Sequence, residues 1–286
     1  MNARSRLAVS VLVAGFLAMV PGAMAASVDE GLRAARMGDY DRAVDEFRPL
    51  AEAGDPRAQF LLGLCYQQGK GVPMNPARAA SWFDRAAEAG NAEAQSALGT
   101  QYLIGQGVAV DPDRAYSLLS QAAAAGDRRA KYGLGVIYEA GIGRAADMAK
   151  AIGWYKVAAE QGLVDAQFAL AQIYDAGQTV PRDLVQAAHW YERAAGQGYA
   201  RAQYGLATMF LHGEGVAVDT LEAYKWFALA ADALPPGEEQ ELARRGQALL
   251  EQHLEPANLA EAKRRVASFR PRLEYGDWAS LQAEQR

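Results

Sequence analysis

The chain has 286 residues, of which 51% are hydrophobic, and it carries a formal charge of −5 with histidine neutral. This length and apolar content favour a folded chain over an intrinsically disordered one and suffice for a large core or an elongated repeat. The acidic balance argues against a nucleic-acid partner, because binding to phosphates needs a positive surface.

Residues 1–25 are predicted to be a secretory signal peptide. Two arginines precede a largely apolar stretch from Leu7 to Val20, and Ala23-Met24-Ala25 has the small-x-small pattern that signal peptidase cuts. The stretch is short for a membrane span, and an uncleaved anchor is the alternative. Cleavage after Ala25 removes two basic and no acidic residues, leaving 27 against 34 and a charge of −7. We therefore expect a periplasmic or secreted protein with no integral membrane span after signal removal.

Residues 27–54 are predicted to form a shortened starter helix pair. Gly38-Asp39-Tyr40 provides its turn, and the segment from Ala43 to Gly54 matches the second helix of the repeat that follows. Atypical ends of this kind are expected in stacked repeats, because terminal units have a neighbour on one side only.

A 36-residue repeat occupies residues 55–234. The tetrapeptide Ala58-Gln59-Phe60-Leu61 has counterparts that begin at Ala94, Ala130, Ala166 and Ala202, always at the same spacing. A fixed period of this length indicates stacked helical units. The five units are 55–90, 91–126, 127–162, 163–198 and 199–234.

The first half of each unit is predicted to be a helix. Alanine, leucine and an aromatic residue recur four residues apart, as in Ala58, Leu62 and Tyr66, so they share one helix face. A glycine such as Gly69 ends the helix, because the residue after a helix often adopts a left-handed conformation.

The second half of each unit is also predicted to be a helix. An Asn or Asp such as Asp111 is suited to cap its first turn. A tryptophan followed by an aromatic residue, as in Trp82-Phe83, precedes an Ala-Ala pair, and unit 2 has Leu118-Leu119 at this place. The aromatic residues recur in step with the repeat, so we interpret them as core residues rather than as stacking sites for sugars or bases.

The array is predicted to end at Pro235-Pro236, because two prolines interrupt the helical pattern. Residues 235–270 are predicted to form charged capping helices, and residues 271–286 a flexible tail. A basic stripe from Lys263 to Arg272 suggests contact with anionic headgroups or an acidic partner, with a solvated helix face as the alternative.

The repeat resembles the Sel-1-like repeat (SLR) family, a branch of the tetratricopeptide superfamily. The matching pattern is Ala-x-x-x-Leu-Gly-x-x-Tyr, then Gly-x-Gly-Val, then Ala-x-x-Trp-Tyr/Phe-x-x-Ala-Ala-x-x-Gly, and unit 55–90 contains all of it. The resemblance implies an all-α fold, a right-handed α-solenoid of helix-turn-helix repeats. It also implies an adaptor or scaffold role, and for an exported bacterial member a place in the cell envelope.

The inner, concave wall of the solenoid is the predicted binding surface, since solenoids bind partners there and the first helices line it. Positions 3, 7, 10 and 14 of each unit face away from the alanine-leucine-aromatic stripe and vary between units. Their mixed character suits a protein or peptide partner, and simple exposure without function is the alternative. The predicted partner-binding residues are Arg57, Leu64, Gln68, Glu93, Thr100, Arg129, Val136, Asp165, Gln172, Arg201, Thr208 and His212.

No catalytic, metal or cofactor site is predicted. The three histidines, His189, His212 and His253, occupy variable positions without a nearby ligand or nucleophile in the pattern. The Gly-x-Gly loops join two helices, so they are interpreted as turns and not as phosphate loops. Cys65, the only cysteine, can form no disulfide within the chain.

Three functions follow from these patterns. The first is a protein-protein interaction scaffold of the bacterial envelope, and the second is a periplasmic regulator that docks on a membrane sensor kinase. The third, an envelope hydrolase, is disfavoured because no nucleophile-base pair breaks the repeat.

Overall fold

A computed structural model describes residues 26–274 of the chain. The predicted signal peptide and residues 275–286 lie outside the described residues. Within 26–274 the chain forms fourteen α-helices and no strand. The helices are α1 Val28–Arg36, α2 Tyr40–Glu52, α3 Pro56–Gln68, α4 Pro76–Glu88, α5 Ala92–Ile104, α6 Pro112–Ala124, α7 Arg128–Ala140, α8 Met148–Glu160, α9 Val164–Ala176, α10 Leu184–Gly196, α11 Ala200–His212, α12 Thr220–Ala233, α13 Glu238–His253 and α14 Pro256–Ser268.

The helices stack in the order of the chain. Each helix from α1 to α12 packs mainly against its neighbours in the chain, and α5 also contacts α7, whereas α13 and α14 both pack against α12. The first helices of the five units begin at residues 56, 92, 128, 164 and 200, which preserves the 36-residue period. The predicted all-α solenoid is confirmed.

Glycine and aspartate or asparagine set the helix ends of the repeats. Each first helix ends at a left-handed glycine, such as Gly105 with φ of 70°. Each second helix begins after a capping Asn or Asp, and in unit 2 the Asp111 Oδ1 accepts a hydrogen bond from the backbone N–H of Arg114 at 3.0 Å. These caps satisfy backbone groups that a helix end leaves without partners.

The core of four units is centred on the second residue of the aromatic pair, and in unit 2 the buried Leu119 takes this position. Phe83 is fully buried, whereas Trp82 is half-buried and has the Arg85 guanidinium 4.6 Å from its ring centroid. The ring of Phe83 lies directly on Gly63, where a Cβ would be 2.5 Å from the ring. The glycine of the Leu-Gly motif therefore makes room for the aromatic ring of the following helix.

A row of buried side chains joins each first helix to the helix before it. In four units a glutamine Nε2 donates to the backbone carbonyl of the residue eight positions earlier, at 3.1–3.3 Å. These glutamines are Gln59, Gln95, Gln167 and Gln203. Unit 3 has Lys131 at this position, and its Nζ donates to the Gly126 carbonyl at 3.1 Å and to Gln161 Oε1 at 3.0 Å.

The C-terminal helices cover the last unit, and the chain then turns back along the solenoid. Residues 269–274, which we call the C-terminal strap, have no helical or strand structure. The Arg272 N–H donates to the Gly196 carbonyl at 3.0 Å, and Glu274 accepts from Gln167 at 2.9 Å. Within the predicted tail, Arg272 and Glu274 therefore make hydrogen bonds to the repeats.

Candidate interaction surfaces

The exposed side chains of the first helices α3, α5, α7, α9 and α11 form one surface, which we call the first-helix face. Twelve residues are predicted to bind a partner there. Val136 and Thr208 are half-buried. The exposed members of the set are Arg57, Gln68, Glu93, Thr100, Arg129, Asp165, Gln172, Arg201 and His212.

Leu64 does not belong to the exposed surface. It is 7% exposed and lies in the same apolar cluster as Phe60 and Leu61, against which Val28 and Leu32 of α1 also pack. The starter helices add apolar neighbours before unit 1, so an apolar side chain at this position is covered. The expected exposure of Leu64 is therefore corrected, and Leu64 is a core residue.

The structure brings three of the predicted residues together in one cavity of about 290 Å³ between α9 and α11. Gln172, Arg201 and Thr208 line it, together with the rings of Phe168, Tyr191 and Tyr204, and we call it the aromatic cavity. Tyr191 packs on Phe168, with a centroid distance of 6.0 Å. Apolar walls with a few polar groups are typical of pockets that hold a side chain or small ligand.

Three carboxylates line the aromatic cavity, those of Asp175, Glu214 and Glu239, and each is paired with an arginine. Arg182 Nη2 lies 3.2 Å from Asp175 and 3.8 Å from Glu214, and Arg201 Nε donates to Glu239 at 2.9 Å. Burial, reinforced by the Asp175 carboxylate, raises the pKa of Tyr191 above its ordinary value. The Tyr191 hydroxyl therefore stays protonated near neutral pH, and the cavity presents aromatic rings beside arginine–carboxylate pairs.

Two other predicted residues, Glu93 and Arg129, line a second cavity of about 450 Å³, which we call the edge cavity. Asp165 lies on the same face, one unit further along. Although Asp165 is exposed, the surrounding protein partly desolvates it and raises the pKa of its carboxyl group, while Arg129 opposes this shift. The predicted residues therefore do not form one continuous site but divide between two cavities and isolated positions.

Three residues of the basic stripe, those on α14, form ion pairs within the molecule. Arg265 pairs with Glu222 at 2.8 Å and with Glu261 at 3.2 Å, and Lys263 pairs with Glu251 at 2.5 Å. Arg264 also pairs with Glu261, at 2.7 Å. These ion pairs hold the C-terminal helices together and against α12, and they reduce the charge that the stripe offers to an anionic partner.

Other groups considered in the sequence have structural environments. Cys65 is 1% exposed, and burial raises the pKa of its thiol to about 12. Across residues 26–274 no three His, Cys, Asp or Glu side chains are grouped as metal ligands would be. None of the helices in that range combines the length and the hydropathy needed for a membrane span.

Sequence reasoning missed the residues that build the cavity walls. Position 6 of the unit is aromatic in Phe60, Tyr132, Phe168 and Tyr204, and each ring packs on the second aromatic residue of its own unit. Unit 2 has Ser96 at position 6, and its partner position holds Leu119 instead of an aromatic residue. In unit 2 the sequence thus loses the aromatic residue at both positions together. This joint loss is visible in the sequence and would have indicated that the two positions are in contact.

Stacked helix pairs with cavities between their first helices define an α-solenoid repeat protein. A family model for the Sel1 repeat matches residues 56–91, 92–127, 128–163, 164–199 and 200–233. The chain therefore belongs to the Sel1 repeat family, whose members are in general protein-interaction scaffolds.

One solved structure supports this assignment, and a second is reported for its sequence similarity. A Sel1 repeat protein from Oxalobacter formigenes is 31% identical, with a TM-score of 0.69, over 79% of this chain and 64% of that protein. The chain thus spans less than two thirds of that relative. A protective antigen from uropathogenic Escherichia coli with an SLR fold is 25% identical, with a TM-score of 0.46, over 89% of this chain and 70% of that one. No curated protein sequence matches the chain.

Proposed function

We propose that this chain is an exported scaffold of the bacterial envelope that binds a protein or peptide on the concave first-helix face. The observation that carries the proposal is the aromatic cavity, where Gln172, Arg201 and Thr208 meet three aromatic rings. Aromatic residues are enriched at the centres of protein interfaces, where they supply much of the binding energy. The rings favour an apolar or aromatic side chain of the partner, and the arginine–carboxylate pairs beside them offer hydrogen bonds to its polar neighbours.

Affinity capture from envelope extracts tests the face, using the full chain and two variants with the same chemical change. Gln172→Arg places a cation at the cavity, whereas Val185→Arg places one on the exposed side of α10, away from the first-helix face. A partner captured by the wild type and by Val185→Arg but lost with Gln172→Arg supports the proposal. Equal capture by all three proteins contradicts binding at the first-helix face.

The envelope location needs its own test. Cell fractionation followed by N-terminal sequencing of the purified protein should give a periplasmic or secreted chain that begins at Ala26. A chain that keeps Met1 and stays with the cytoplasmic fraction would refute export while leaving the binding face untouched.

A further inference from the structure

The C-terminal strap lies along a surface that the first-helix face does not include. We call this surface the turn edge: the residues where each second helix ends and the next first helix begins, represented by Gly126, Gly162 and Gly198. Pro271 of the strap packs beside Gly198, and Glu274 packs beside Gly162. Three strap residues thus advance by one repeat unit, and the next unit in that direction ends at Gly126. Gly162 is buried, whereas Gly126 is exposed.

The turn edge holds Glu274 in a slot built from unit 4. Its carboxylate accepts hydrogen bonds from Gln167 Nε2 at 2.9 Å and from Arg193 Nε at 3.0 Å. Its backbone N–H donates to Gln197 Oε1 at 3.2 Å, and Gln197 Nε2 in turn donates to the Gly162 carbonyl at 3.2 Å. Side chain and backbone together therefore anchor the strap at its last residue.

The corresponding slot of unit 3 has a different character. Val157 stands at the position of Arg193 and is 41% exposed. Lys131 stands at the position of Gln167, and its Nζ already donates to the Gly126 carbonyl at 3.1 Å. Because a valine replaces the arginine, this slot suits an apolar side chain better than a carboxylate.

The edge cavity adjoins the unit-3 slot. Its volume is about 450 Å³, within the range of about 300–1,000 Å³ that is usual for ligand pockets. Glu274 is part of its lining, so residue 275 begins at the cavity wall. Carboxylates and guanidinium groups both line the cavity, which gives it no preference for an acidic ligand. Its charged residues are Glu93, Asp127, Arg128, Arg129 and Glu160, beside the ring of Phe60.

A tryptophan suits walls of this mixed kind. It combines a large apolar ring with a single N–H donor, which a carboxylate accepts. Its ring also packs on guanidinium groups that are engaged in hydrogen bonds, because those bonds lie in the plane of the group and leave its face to the ring. The repeats contain an example: Arg193 lies 5.1 Å from the ring centroid of Trp190 while its Nε donates to Glu274. Arg128 likewise donates to the Gln161 carbonyl, at 3.3 Å, from the wall of the edge cavity.

We propose that Trp278 of the chain itself occupies the edge cavity, with its ring against the unit-3 slot at Gly126 and Val157. The residues that follow the strap are Tyr-Gly-Asp-Trp, at positions 275–278. Four extended residues cover about 13 Å, which exceeds the usual distance of about 8–10 Å between packed helices. Trp278 therefore reaches one unit beyond Glu274, to the exposed Gly126.

The docked segment closes part of the first-helix face. Glu93 and Arg129 line the edge cavity and belong to the predicted partner-binding residues. With Trp278 in place they are covered, and the aromatic cavity is the part of the face that stays open to a partner. This consequence rests on the proposed function, whereas the docking of Trp278 does not.

Photocross-linking in the full-length protein tests where Trp278 lies. The photoreactive residue p-benzoylphenylalanine replaces Trp278, and mass spectrometry maps the residues to which it cross-links. Cross-links within one chain to residues 126–129 or 157–161 are expected. They should be lost in Val157→Glu, which puts a carboxylate in the unit-3 slot, and kept in Val185→Glu, the same change at an exposed valine of α10.

Acrylamide quenching of fluorescence tests the docking with the natural side chain. The chain has five tryptophans, and the emission of Trp278 is the difference between a protein and its Trp278→Phe variant. An effective concentration of about 1 mM and a Kd of about 0.1 mM for the isolated contact keep about nine molecules in ten docked. The quenching constant of Trp278 should therefore rise several-fold in Val157→Glu and stay unchanged in Val185→Glu. Circular dichroism confirms that each variant is folded.

Three outcomes overturn the proposal. Position 278 cross-links only to other segments or to none, or the cross-links survive Val157→Glu, or Trp278 is quenched equally in the wild type and in that variant. Cross-linked dimers in place of cross-links within one chain would also overturn it, because they would show that a second copy of this chain fills the edge cavity.

Discussion

Two glycines of the repeat provide a stringent test of the packing described above. Gly63 lies inside α3 against the ring of Phe83, whereas Gly153 lies inside α8 with no other atom within 4 Å of the position of a Cβ. Replacing either glycine with alanine makes the same chemical change in a helix interior. The two variants therefore share the gain in helix propensity and differ only in what the new methyl group meets.

The expected energies follow from this difference. Alanine in a helix interior is favoured over glycine by about 0.5–1 kcal/mol, so Gly153→Ala should raise the free energy of unfolding by that amount. A methyl group at Gly63 would lie 2.5 Å from the ring of Phe83, which is fully buried and cannot move into solvent. Overpacking of this kind costs about 1–3 kcal/mol. The two variants should therefore differ by about 1–3 kcal/mol, with Gly63→Ala the less stable.

Urea denaturation followed by far-ultraviolet circular dichroism measures the difference. The slope of the transition must be compared as well as the midpoint, because repeat proteins can lose all-or-none unfolding when one interface weakens. Equal stabilisation by both substitutions would refute the packing, since it would mean that the ring of Phe83 does not need the space above Gly63.

Three further predictions concern single groups. The native protein should resist alkylation of Cys65 near neutral pH and react after unfolding, because the thiol is buried and its pKa is raised. Mass spectrometry measures the alkylation, and rapid reaction of the folded protein would contradict the prediction. Asp111→Ala should lower the free energy of unfolding in urea by about 1 kcal/mol through loss of a cap, while Asp113→Ala, whose side chain is 90% exposed, should change it little. The free energy of unfolding should fall as the pH rises above about 10. Burial raises the pKa of Tyr155 and Tyr191, so only the unfolded chain releases their protons in that pH range. A Tyr155→Phe, Tyr191→Phe double variant with an equally steep pH dependence would refute this cause.

The sequence was sufficient for the fold because the same local signals occur five times in phase. Asp111 as a cap and Gly105 as a left-handed terminus need only contacts within a few residues, and their repetition removes the ambiguity of any single match. The five first helices start 36 residues apart, as the spacing of the tetrapeptide predicts. Features that depend on local chemistry and on period were therefore predictable.

Features that depend on contacts between distant residues were not predictable in the same way. Glu274 contacts Gln167 and Arg193, which are 107 and 81 residues away, and the strap has no periodic pattern to reveal that docking. The burial of Leu64 likewise depends on the helices that precede the repeat, not on its own unit. The two cavities combine residues of neighbouring units, so spacing within one unit could not show which exposed positions would meet.

Lys131 tests whether a buried charge is needed for packing, because the other four units place glutamine at its position. A glutamine there would make the same kind of bond to a backbone carbonyl without burying a charge, and burying a charge costs stability. Lys131→Gln should therefore leave the urea midpoint unchanged or raise it. A lower midpoint would show instead that the ammonium of Lys131 serves the fold through its hydrogen bonds to the Gly126 carbonyl and Gln161 Oε1.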